Sequence, residues 1–303
     1  MKKIIIDTDI GDDIDDAYAL VSAVNMQCFE ILGVTTVYRN SLQRAKIASG
    51  LLKAMGRQEV GVYVGNDYPY CEQFCIEPFE ESLPDGRPVI PHYAPEFEHM
   101  PVCSQPAAEF IAERAEKYPG EIVVIAIGPL TNLANVAQKY ASSFSKLAQI
   151  VCRGGSFSRD KAEWNIRCDP EAAALVLQAG VPIRFVGVDV TAYTYLEEKD
   201  VKEVTARREG VYGMLDGMLQ KWRDTHPGRK PMMHDVLTVA EVNGGFCRYE
   251  TCGLCIPLKG PYRAFTCRSD SADAPVVSYA VNLDRTAFMD FFRDTLFEKT
   301  SVR

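Results

Sequence analysis

Six aspartates lie within ten residues near the start of the chain, a density of carboxylates that suits cation binding or acid–base chemistry. They are Asp7, Asp9, Asp12, Asp13, Asp15 and Asp16. Carboxylates a few ångströms apart disfavour one another's ionised form, and a hard cation with oxygen ligands, such as Ca²⁺ or Mg²⁺, relieves that repulsion. A loop that only caps a helix is the alternative, although one or two acids suffice for a cap. The pattern therefore favours a cation site.

The elements that flank these acids place them at the edge of a sheet. Residues 3–6 are an apolar, β-branched run that predicts a buried strand, and Gly11 permits a sharp turn. From Ala17 onward the sequence has helical propensity. Ligands of open α/β sheets bind at such a strand-to-helix loop, beyond the carboxyl end of the strand.

Strand and helix patterns alternate along the chain. We expect one α/β domain, residues 1–303, built on a mainly parallel, doubly wound mixed sheet flanked by helices. Predicted strands cover residues 3–6, 30–38, 61–64, 121–127, 149–152, 183–188 and 276–281, with a strand-rich patch at 246–265. Predicted helices cover residues 41–55, 106–117, 130–140, 170–178, 209–222, 235–242 and 285–298. The long segment 66–101 is typical of a lid or a substrate-facing loop.

The composition limits the class of protein. Hydrophobic residues make up 47% and charged residues 24% of the 303 residues, as in ordinary globular enzymes. The net charge of −8 argues against a nucleic-acid partner, and no apolar run is long enough to span a membrane. Ten cysteines without a secretion signal indicate reduced thiols and a cytoplasmic location. The single C-x-x-C pair, Cys252 and Cys255, lacks the second close pair of a structural zinc site, so packing is favoured.

Three later segments bring further polar groups to the same predicted sheet edge. Residues 125–132, IAIGPLTN, run from a strand into a helix and offer backbone carbonyls, which Ca²⁺ accepts as ligands. Residues 153–165, RGGSFSRDKAEWN, combine paired glycines with Glu163, Trp164 and Asn165. His234 and Asp235 begin a predicted helix. Each segment alone is a weak signal, because glycine pairs and His-Asp steps are common in turns and caps.

Taken in order, these motifs strongly resemble the nucleoside hydrolase family. The matching blocks are DTDIG…DDAYAL, AIGPLTNLA, AEWN and HD, and the resemblance extends over residues 3–298. It implies a mixed α/β sheet, one bound Ca²⁺, and hydrolysis of the N-glycosidic bond of ribonucleosides to free base and ribose. That chemistry serves purine or pyrimidine salvage, and relatives form dimers and tetramers, so we expect a homodimer or homotetramer.

The resemblance also assigns roles at the metal and at the leaving base. It implies that Asp9 binds the metal and takes the proton from a metal-bound water. Asp16 matches the bidentate carboxylate ligand, the backbone carbonyl of Ile127 completes the site, and Asp235 is the last protein ligand. His234 matches a histidine that assists departure of the base. These residue types suit the reaction, because carboxylates stabilise the positive charge that develops on the sugar.

Further matches concern the substrate. Asp15 matches a residue that holds a ribose hydroxyl, and the resemblance gives Asn40, Glu163 and Asn165 contacts with the sugar as well. Because there are more polar groups than a glycosidic bond needs, we expect Asp235 to bind the sugar too. Trp164 and His92 are candidate contacts for the base.

The chain departs from the family pattern in two places. One residue usually separates the glycine from the aspartate pair, whereas Asp12, Asp13 and Ile14 lie between Gly11 and Asp15. Asp13 therefore can replace or supplement Asp16 at the metal. Arg153 stands where the family often has an apolar residue, and a sugar-binding asparagine has no clear counterpart nearby. These departures leave the base specificity open and admit a non-nucleoside ribosyl substrate.

Two other functions are alternatives at this point. A metal- and ribosyl-binding protein without catalysis would need the same residues. A haloacid dehalogenase-like phosphatase would use Asp7 of Asp7-Thr8-Asp9 as its nucleophile, but that motif has Thr or Val where Gly11 stands here. Met214, Met218 and Trp222 follow helical spacing and are equally suited to packing or to lining a pocket.

Overall fold

The computed structural model describes residues 1–71, 82–84, 86–158 and 161–297. These residues form nine strands: β1 Lys2–Thr8, β2 Phe29–Thr36, β3 Val62–Val64, β4 Ile122–Ala126, β5 Gln149–Arg153, β6 Ile183–Val186, β7 Cys247–Cys255, β8 Cys267–Arg268 and β9 Val276–Leu283. They make one sheet in the order β3-β2-β1-β4-β5-β6-β9-β7-β8. The strands from β3 to β9 in this order are parallel, and β7 and β8 add an antiparallel edge. The predicted α/β class with a mainly parallel mixed sheet is confirmed.

Helices cover both faces of this sheet. They are α1 Asp15–Asn25, α2 Ser41–Ala54, α3 Ala107–Lys117, α4 Thr131–Lys139, α5 Ala141–Phe144, α6 Trp164–Cys168, α7 Pro170–Gln178, α8 Val188–Thr191, α9 Glu198–Val204, α10 Val211–Thr225, α11 His234–Ala240 and α12 Arg285–Phe297, with a 3₁₀ turn at Pro95–Phe97. None of the helices in the described ranges is long and apolar enough to cross a membrane.

The central strand β1 shows why the sheet is buried on both sides. Ile4 and Ile6 belong to the hydrophobic core on one face, and Ile5 belongs to the core on the other. Successive side chains of a strand point to opposite faces, so a strand covered by helices on both sides needs an uninterrupted apolar run. The KIII sequence supplies that run.

The chain changes direction across the sheet at β1. This strand pairs with β2 on one side and with β4 on the other. A crevice opens at such a switch point, beyond the carboxyl ends of the two strands. The aspartate-rich loop follows β1, and the GPLTN segment follows β4, so both segments border this crevice.

Two sequence predictions differ from the structure. The strand-rich patch 246–265 is wrong beyond Cys255, because residues 256–265 form no strand. Pro257 and Pro261 interrupt that stretch, and proline has no N–H group to donate to a strand ladder. The helices α5, α6 and α8 were not expected, since four or five residues are too few to show a helical period.

The segment 66–101 is only partly described, since residues 72–81 and 85 lie outside the described ranges. The portion from residue 86 onward packs beside the acidic loop. Ile90 is fully buried, and the N–H of His92 donates a 3.0 Å hydrogen bond to the carbonyl of Gly11. The role of this segment as a lid remains a prediction.

Asn132 of the GPLTN segment links the carboxyl ends of three strands. Its Nδ2 donates to the Asp7 carboxylate at 2.7 Å and to the Thr36 carbonyl at 2.9 Å. Its Oδ1 accepts from the N–H of Asn66 at 3.0 Å. Because Asn132 is fully buried, each partner would otherwise be desolvated without compensation.

We expect Asn132→Leu to lower the free energy of unfolding by roughly 3 kcal/mol or more, because three buried polar groups lose a partner at about 1–3 kcal/mol each. Urea denaturation of purified protein measures this loss. Asn135→Leu is the matched control, since Nδ2 of Asn135 bonds to Thr131 of its own helix α4, and we expect it to cost less than about 1 kcal/mol. Equal losses for the two variants would contradict the role given to Asn132.

Candidate functional site

A cavity of about 460 Å³ lies beyond the carboxyl ends of β1 and β4. Most of its lining residues are polar or charged, and they come from widely separated parts of the chain. The lining residues are Asp9, Asp12, Asp13, Asp15, Asp16, Arg39, Ile127, Arg153, Trp164, Asn165, Trp222, His226, Arg229, His234 and Asp235.

Gly11 gives the acidic loop its turn. Its φ of +113° lies in the region that L residues rarely adopt. A Cβ at this position would also lie 2.5 Å from Cγ2 of Ile90 and 2.8 Å from Cδ1 of Ile47. Both the backbone conformation and the packing therefore require glycine.

Three carboxylates converge at the base of the cavity. Asp15 and Asp16 lie in the first turn of α1, and Asp235 lies in the first turn of α11. Carboxylate oxygens of the three residues lie within 4.8 Å of one another, and all three side chains are buried. The backbone N–H of Asp235 donates to Asp15 at 3.2 Å, and the Thr8 hydroxyl donates to Asp16. We call Asp15, Asp16 and Asp235 the carboxylate cluster.

Burial and mutual repulsion oppose ionisation of the carboxylate cluster. Desolvation and the charges of Asp9 and Asp15 raise the pKa of Asp16 well above its usual value. Desolvation and the charges of Asp15 and Asp16 raise the pKa of Asp235 in the same way. Desolvation and Asp13 raise the pKa of Asp15 to about 7. A divalent cation among these oxygens would favour the ionised forms, and an all-oxygen donor set fits Ca²⁺ or Mg²⁺.

Asp9 lines the same cavity and is 7% exposed. Desolvation by burial raises its pKa to about 7, against the opposing effect of the Arg44 guanidinium. The glycine of GPLTN makes room for it, since a Cβ at Gly128 would lie 2.9 Å from the Asp9 nitrogen and 3.1 Å from its Oδ1. The GPLTN segment thus leaves space for Asp9 because Gly128 has no side chain.

Arg44 of α2 fixes the acidic loop through hydrogen bonds. The side chain is fully buried, and its guanidinium donates to the carbonyls of Asp9 and Ile10 and to the Asp12 carboxylate, the last at 2.9 Å. Its Nε donates to the Tyr38 carbonyl at 2.8 Å. One buried cation therefore fixes the backbone that carries Asp9.

The two inserted aspartates have different surroundings. Asp12 pairs with Arg39 at 3.1 Å as well as with Arg44. Burial raises the pKa of Asp13, while a hydrogen bond from Trp222 and the nearby His226 lower it. Asp13 lines the cavity outside the carboxylate cluster. The extra residues thus attach the loop to an arginine on one side and to α10 on the other.

Four other residues singled out in the sequence line the cavity. The Ile127 carbonyl accepts a 2.9 Å hydrogen bond from Nδ2 of Asn165, and an sp² oxygen has a second lone pair for a cation. Trp164 is 41% exposed. Burial and the charge of Arg153 lower the pKa of His234 well below its usual value, and its Nδ1 has no hydrogen-bond partner among the described residues.

Three residues singled out in the sequence lie outside the cavity lining as the structure describes it. Asn40 caps α2 by accepting from the N–H of Gln43 at 3.2 Å. Glu163 caps α6 and forms a buried ion pair with Arg153. His92 is buried, and desolvation lowers its pKa to about 4. Contacts of these three residues with a substrate remain predictions.

Helical spacing left Trp222 equally suited to packing or to lining a pocket, and it lines the cavity, whereas sequence patterns did not identify His226, Arg39 or Arg229. The rings of Trp222 and His226 stack with centroids 4.7 Å apart at the end of α10. The position of His226 four residues after Trp222, at the end of an amphipathic helix, is the signal that would have found it. Met214 and Met218 pack in the hydrophobic core instead. Arg39, three residues after the end of β2, and Arg229 carry no sequence motif.

The structure argues against the phosphatase and zinc hypotheses. Asp7 is fully buried, and its carboxylate accepts from Thr35 at 2.5 Å and from Asn132, so it does not face the cavity as a nucleophile. Cys252 and Cys255 lie three residues apart on β7, where they point to opposite faces of the sheet. Within the described ranges, the carboxylate cluster is the one group of three His, Cys, Asp or Glu side chains whose ligand atoms lie within 4.8 Å of one another.

Comparisons with known proteins agree with this geometry. Residues 4–290 match the family model of the inosine-uridine preferring nucleoside hydrolases. The chain is 31% identical to uridine nucleosidase 1 of Arabidopsis thaliana, over 84% of this chain and 80% of that protein. It is 30% identical to a pyrimidine-specific ribonucleoside hydrolase of Shewanella woodyi, over 79% and 78% of the two chains. A purine-preferring ribonucleoside hydrolase from Gardnerella vaginalis shares the fold, with a TM-score of 0.81 at 24% identity over 97% and 98% of the chains.

We expect Arg44→Met to lower the free energy of unfolding by about 3–5 kcal/mol, because it leaves Asp12 and three backbone carbonyls without their buried partner. Lys46→Met on the same helix is the matched control. Lys46 pairs at 3.1 Å with Glu98, whose side chain is 58% exposed, and such surface pairs contribute about 0–1 kcal/mol. Urea denaturation distinguishes the two variants. A loss of less than about 1 kcal/mol for Arg44→Met would show that the loop does not depend on this arginine.

Proposed function

Because the chain belongs to the inosine-uridine preferring nucleoside hydrolase family, and is thus an N-glycosyl hydrolase of ribonucleosides, we propose that Asp9 and the carboxylate cluster carry out this hydrolysis. The observation that supports the proposal most is the convergence of Asp15, Asp16 and Asp235 in one cavity that Asp9 also lines. An acidic cavity of this kind suits a reaction in which positive charge develops on the sugar.

We propose Ca²⁺ as the cofactor. Asp9, Asp16, Asp235 and the Ile127 carbonyl would hold it, with Asp13 and Asp15 as further oxygen donors nearby. All of these donors are oxygens, whereas zinc sites in proteins usually include nitrogen or sulfur. When bound, the cation supplies positive charge that favours deprotonation of the attacking water and attracts the vicinal hydroxyls of the ribose.

Asp9 acts as the general base in this proposal. Its carboxylate accepts the proton of the water that attacks C1′ of the ribose, while the bond from C1′ to the base nitrogen breaks and its electron pair leaves with the base. Burial raises the pKa of Asp9, and a general base works best when its pKa lies near the working pH. Arg44 fixes the position of Asp9 by donating a hydrogen bond to its backbone carbonyl.

His234 assists departure of the base. Burial and Arg153 keep its imidazole neutral, so a ring nitrogen can bear the hydrogen that a leaving nitrogen or oxygen of the base accepts. Trp222 and His226 line the same cavity and offer an aromatic surface for the base. Trp164 offers another such surface.

The sugar is held by polar groups that line the same cavity. Asp15, Asn165 and Asp235 line the cavity and would accept or donate hydrogen bonds to the ribose hydroxyls. Asn40 and Glu163 would need to release some of their present partners to take part. Since the sequence relatives include a uridine nucleosidase and a pyrimidine-specific hydrolase, uridine is the first substrate to assay.

We expect Asp9→Asn to reduce the rate of ribose release from uridine by at least about 10²–10⁴-fold, because the amide cannot accept the proton of the water. A reducing-sugar assay measures the rate, and circular dichroism checks that the fold is retained. Asp273→Asn, at an exposed position, is the control and should leave the rate unchanged. Turnover of Asp9→Asn within tenfold of wild type would rule Asp9 out as the base.

We expect 2′-deoxyuridine to be cleaved roughly 10⁴–10⁵-fold less efficiently than uridine, because the polar groups that bind the hydroxyl would be left unpaired. The comparison uses kcat/KM values from release of uracil, which both substrates produce. A cation that recruits a water in place of the missing hydroxyl would reduce the difference between the two kcat/KM values. Values within tenfold of one another would contradict the assignment of Asp15, Asn165 and Asp235 to the sugar.

A further inference from the structure

A second cavity, of about 560 Å³, adjoins the first and has the opposite charge. The two cavities share Arg153, Trp164 and His234 in their walls. Four cationic side chains line the second cavity against one carboxylate, and these five residues are Arg153, Lys161, Arg167, Arg263 and Glu163. The chain as a whole carries a net charge of −8, so this concentration of cations differs from the rest of the protein. We call this space the cationic cavity.

Arg153 lies at the junction of the two cavities. It is the last residue of β5 and is 9% exposed. One side of its guanidinium pairs with Glu163, while its Nε has no hydrogen-bond partner among the described residues. A buried guanidinium in the walls of both cavities is suited to an anion, because Arg presents planar, paired donors to carboxylate and phosphate groups.

The other cations surround the opening. Arg167 lies over the ring of Trp164, with 5.2 Å between the guanidinium carbon and the ring centroid. Arg263 is held by Glu171 at 2.7 Å. Lys161 is exposed beside the cavity. Together with Arg153, these side chains come from three parts of the chain, around residues 153, 161–167 and 263, so the fold gathers positive charge at this place.

We propose that the cationic cavity binds an anionic substituent of the substrate, in the first place a phosphate on the 5′ hydroxyl of the ribose. The inference rests on the proposed function, in which the vicinal hydroxyls face the carboxylate cluster and the base leaves from C1′. The 5′ carbon is then the part of the sugar from which a phosphate can extend away from the aspartates. A phosphate would be repelled by the carboxylates of the first cavity, whereas the cationic cavity attracts it.

The pairing of Arg153 with Glu163 supports this assignment. The resemblance to the family implies that Glu163 binds a sugar hydroxyl. In this protein, Arg153 pairs with the Glu163 carboxylate and neutralises its charge. A carboxylate that faced a phosphate without such a partner would repel it. With Glu163 paired in this way, the cationic cavity carries a net positive charge. A carboxylate on the base is the other source of the same chemistry, since Arg153 and His234 also border the first cavity.

Release of the free base from three substrates tests the proposal. Uridine, uridine 5′-monophosphate and orotidine yield uracil, uracil and orotate, which chromatography quantifies. We expect kcat/KM for the monophosphate to exceed that for uridine at least tenfold. A preference for orotidine alone would support an anion site that faces the base. If uridine is cleaved better than both anionic substrates, the proposal is wrong. If no substrate releases its base, the proposed function fails instead.

Variants locate the anion. We expect Lys161→Ala and Arg167→Ala each to lower the ratio of kcat/KM for the preferred anionic substrate to that for uridine by roughly tenfold, the effect of one lost charge-assisted hydrogen bond. Lys202→Ala on α9, an exposed lysine away from both cavities, should leave the ratio unchanged. A ratio that neither Lys161→Ala nor Arg167→Ala alters would overturn the placement of the anion.

Discussion

Buried carboxylates repel one another at one point of the fold, and the rest of the structure must offset this repulsion. Asp15, Asp16 and Asp235 lie within 4.8 Å of one another with little access to water, and Asp9 faces the same cavity. Such a cluster is stable in its ionised form only with compensating positive charge. Part of the compensation comes from the chain itself, since Arg44 lies beneath the loop and Arg153 lies beside Asp15 and Asp235. A divalent cation would provide the rest.

The fold keeps these charges in place through rigid elements. The acids follow β1 and begin α1 and α11, so the sheet and the helices set their positions. Asn132 ties the ends of three strands together behind them. The positive ends of the helix dipoles of α1 and α11 face the acids and favour their ionised forms. A site built on such elements retains its geometry when the substrate binds.

Local sequence patterns predicted the sheet class and the placement of the acidic loop. Period and composition suffice for β1 and for the helix after it, because a buried strand and a strand-to-helix turn have local signatures. The convergence of His234 and Asp235 with the loop came from family resemblance, since nothing in residues 234 and 235 alone indicates which segment they contact.

Several features of the site had no local signal. The Arg44 clamp joins residues more than thirty positions apart, and the Arg153–Glu163 pair and the stack of Trp222 on His226 follow from tertiary packing. Residues 125–132 were expected to contribute backbone carbonyls, whereas the side chain of Asn132 bonds to three segments. Long-range side-chain pairing of this kind is decided by the assembled fold rather than by propensity.

The calcium content of the purified protein decides whether the carboxylate cluster holds a divalent cation. Protein prepared without chelators should contain close to one calcium ion per chain and no zinc, as measured by elemental analysis. Asp16→Asn should lose the ion after dialysis, whereas Asp13→Asn, outside the carboxylate cluster, should keep it. Wild-type protein without calcium, or with stoichiometric zinc in its place, would contradict the account. Loss of calcium from Asp13→Asn but not from Asp16→Asn would show that the inserted aspartate is the ligand.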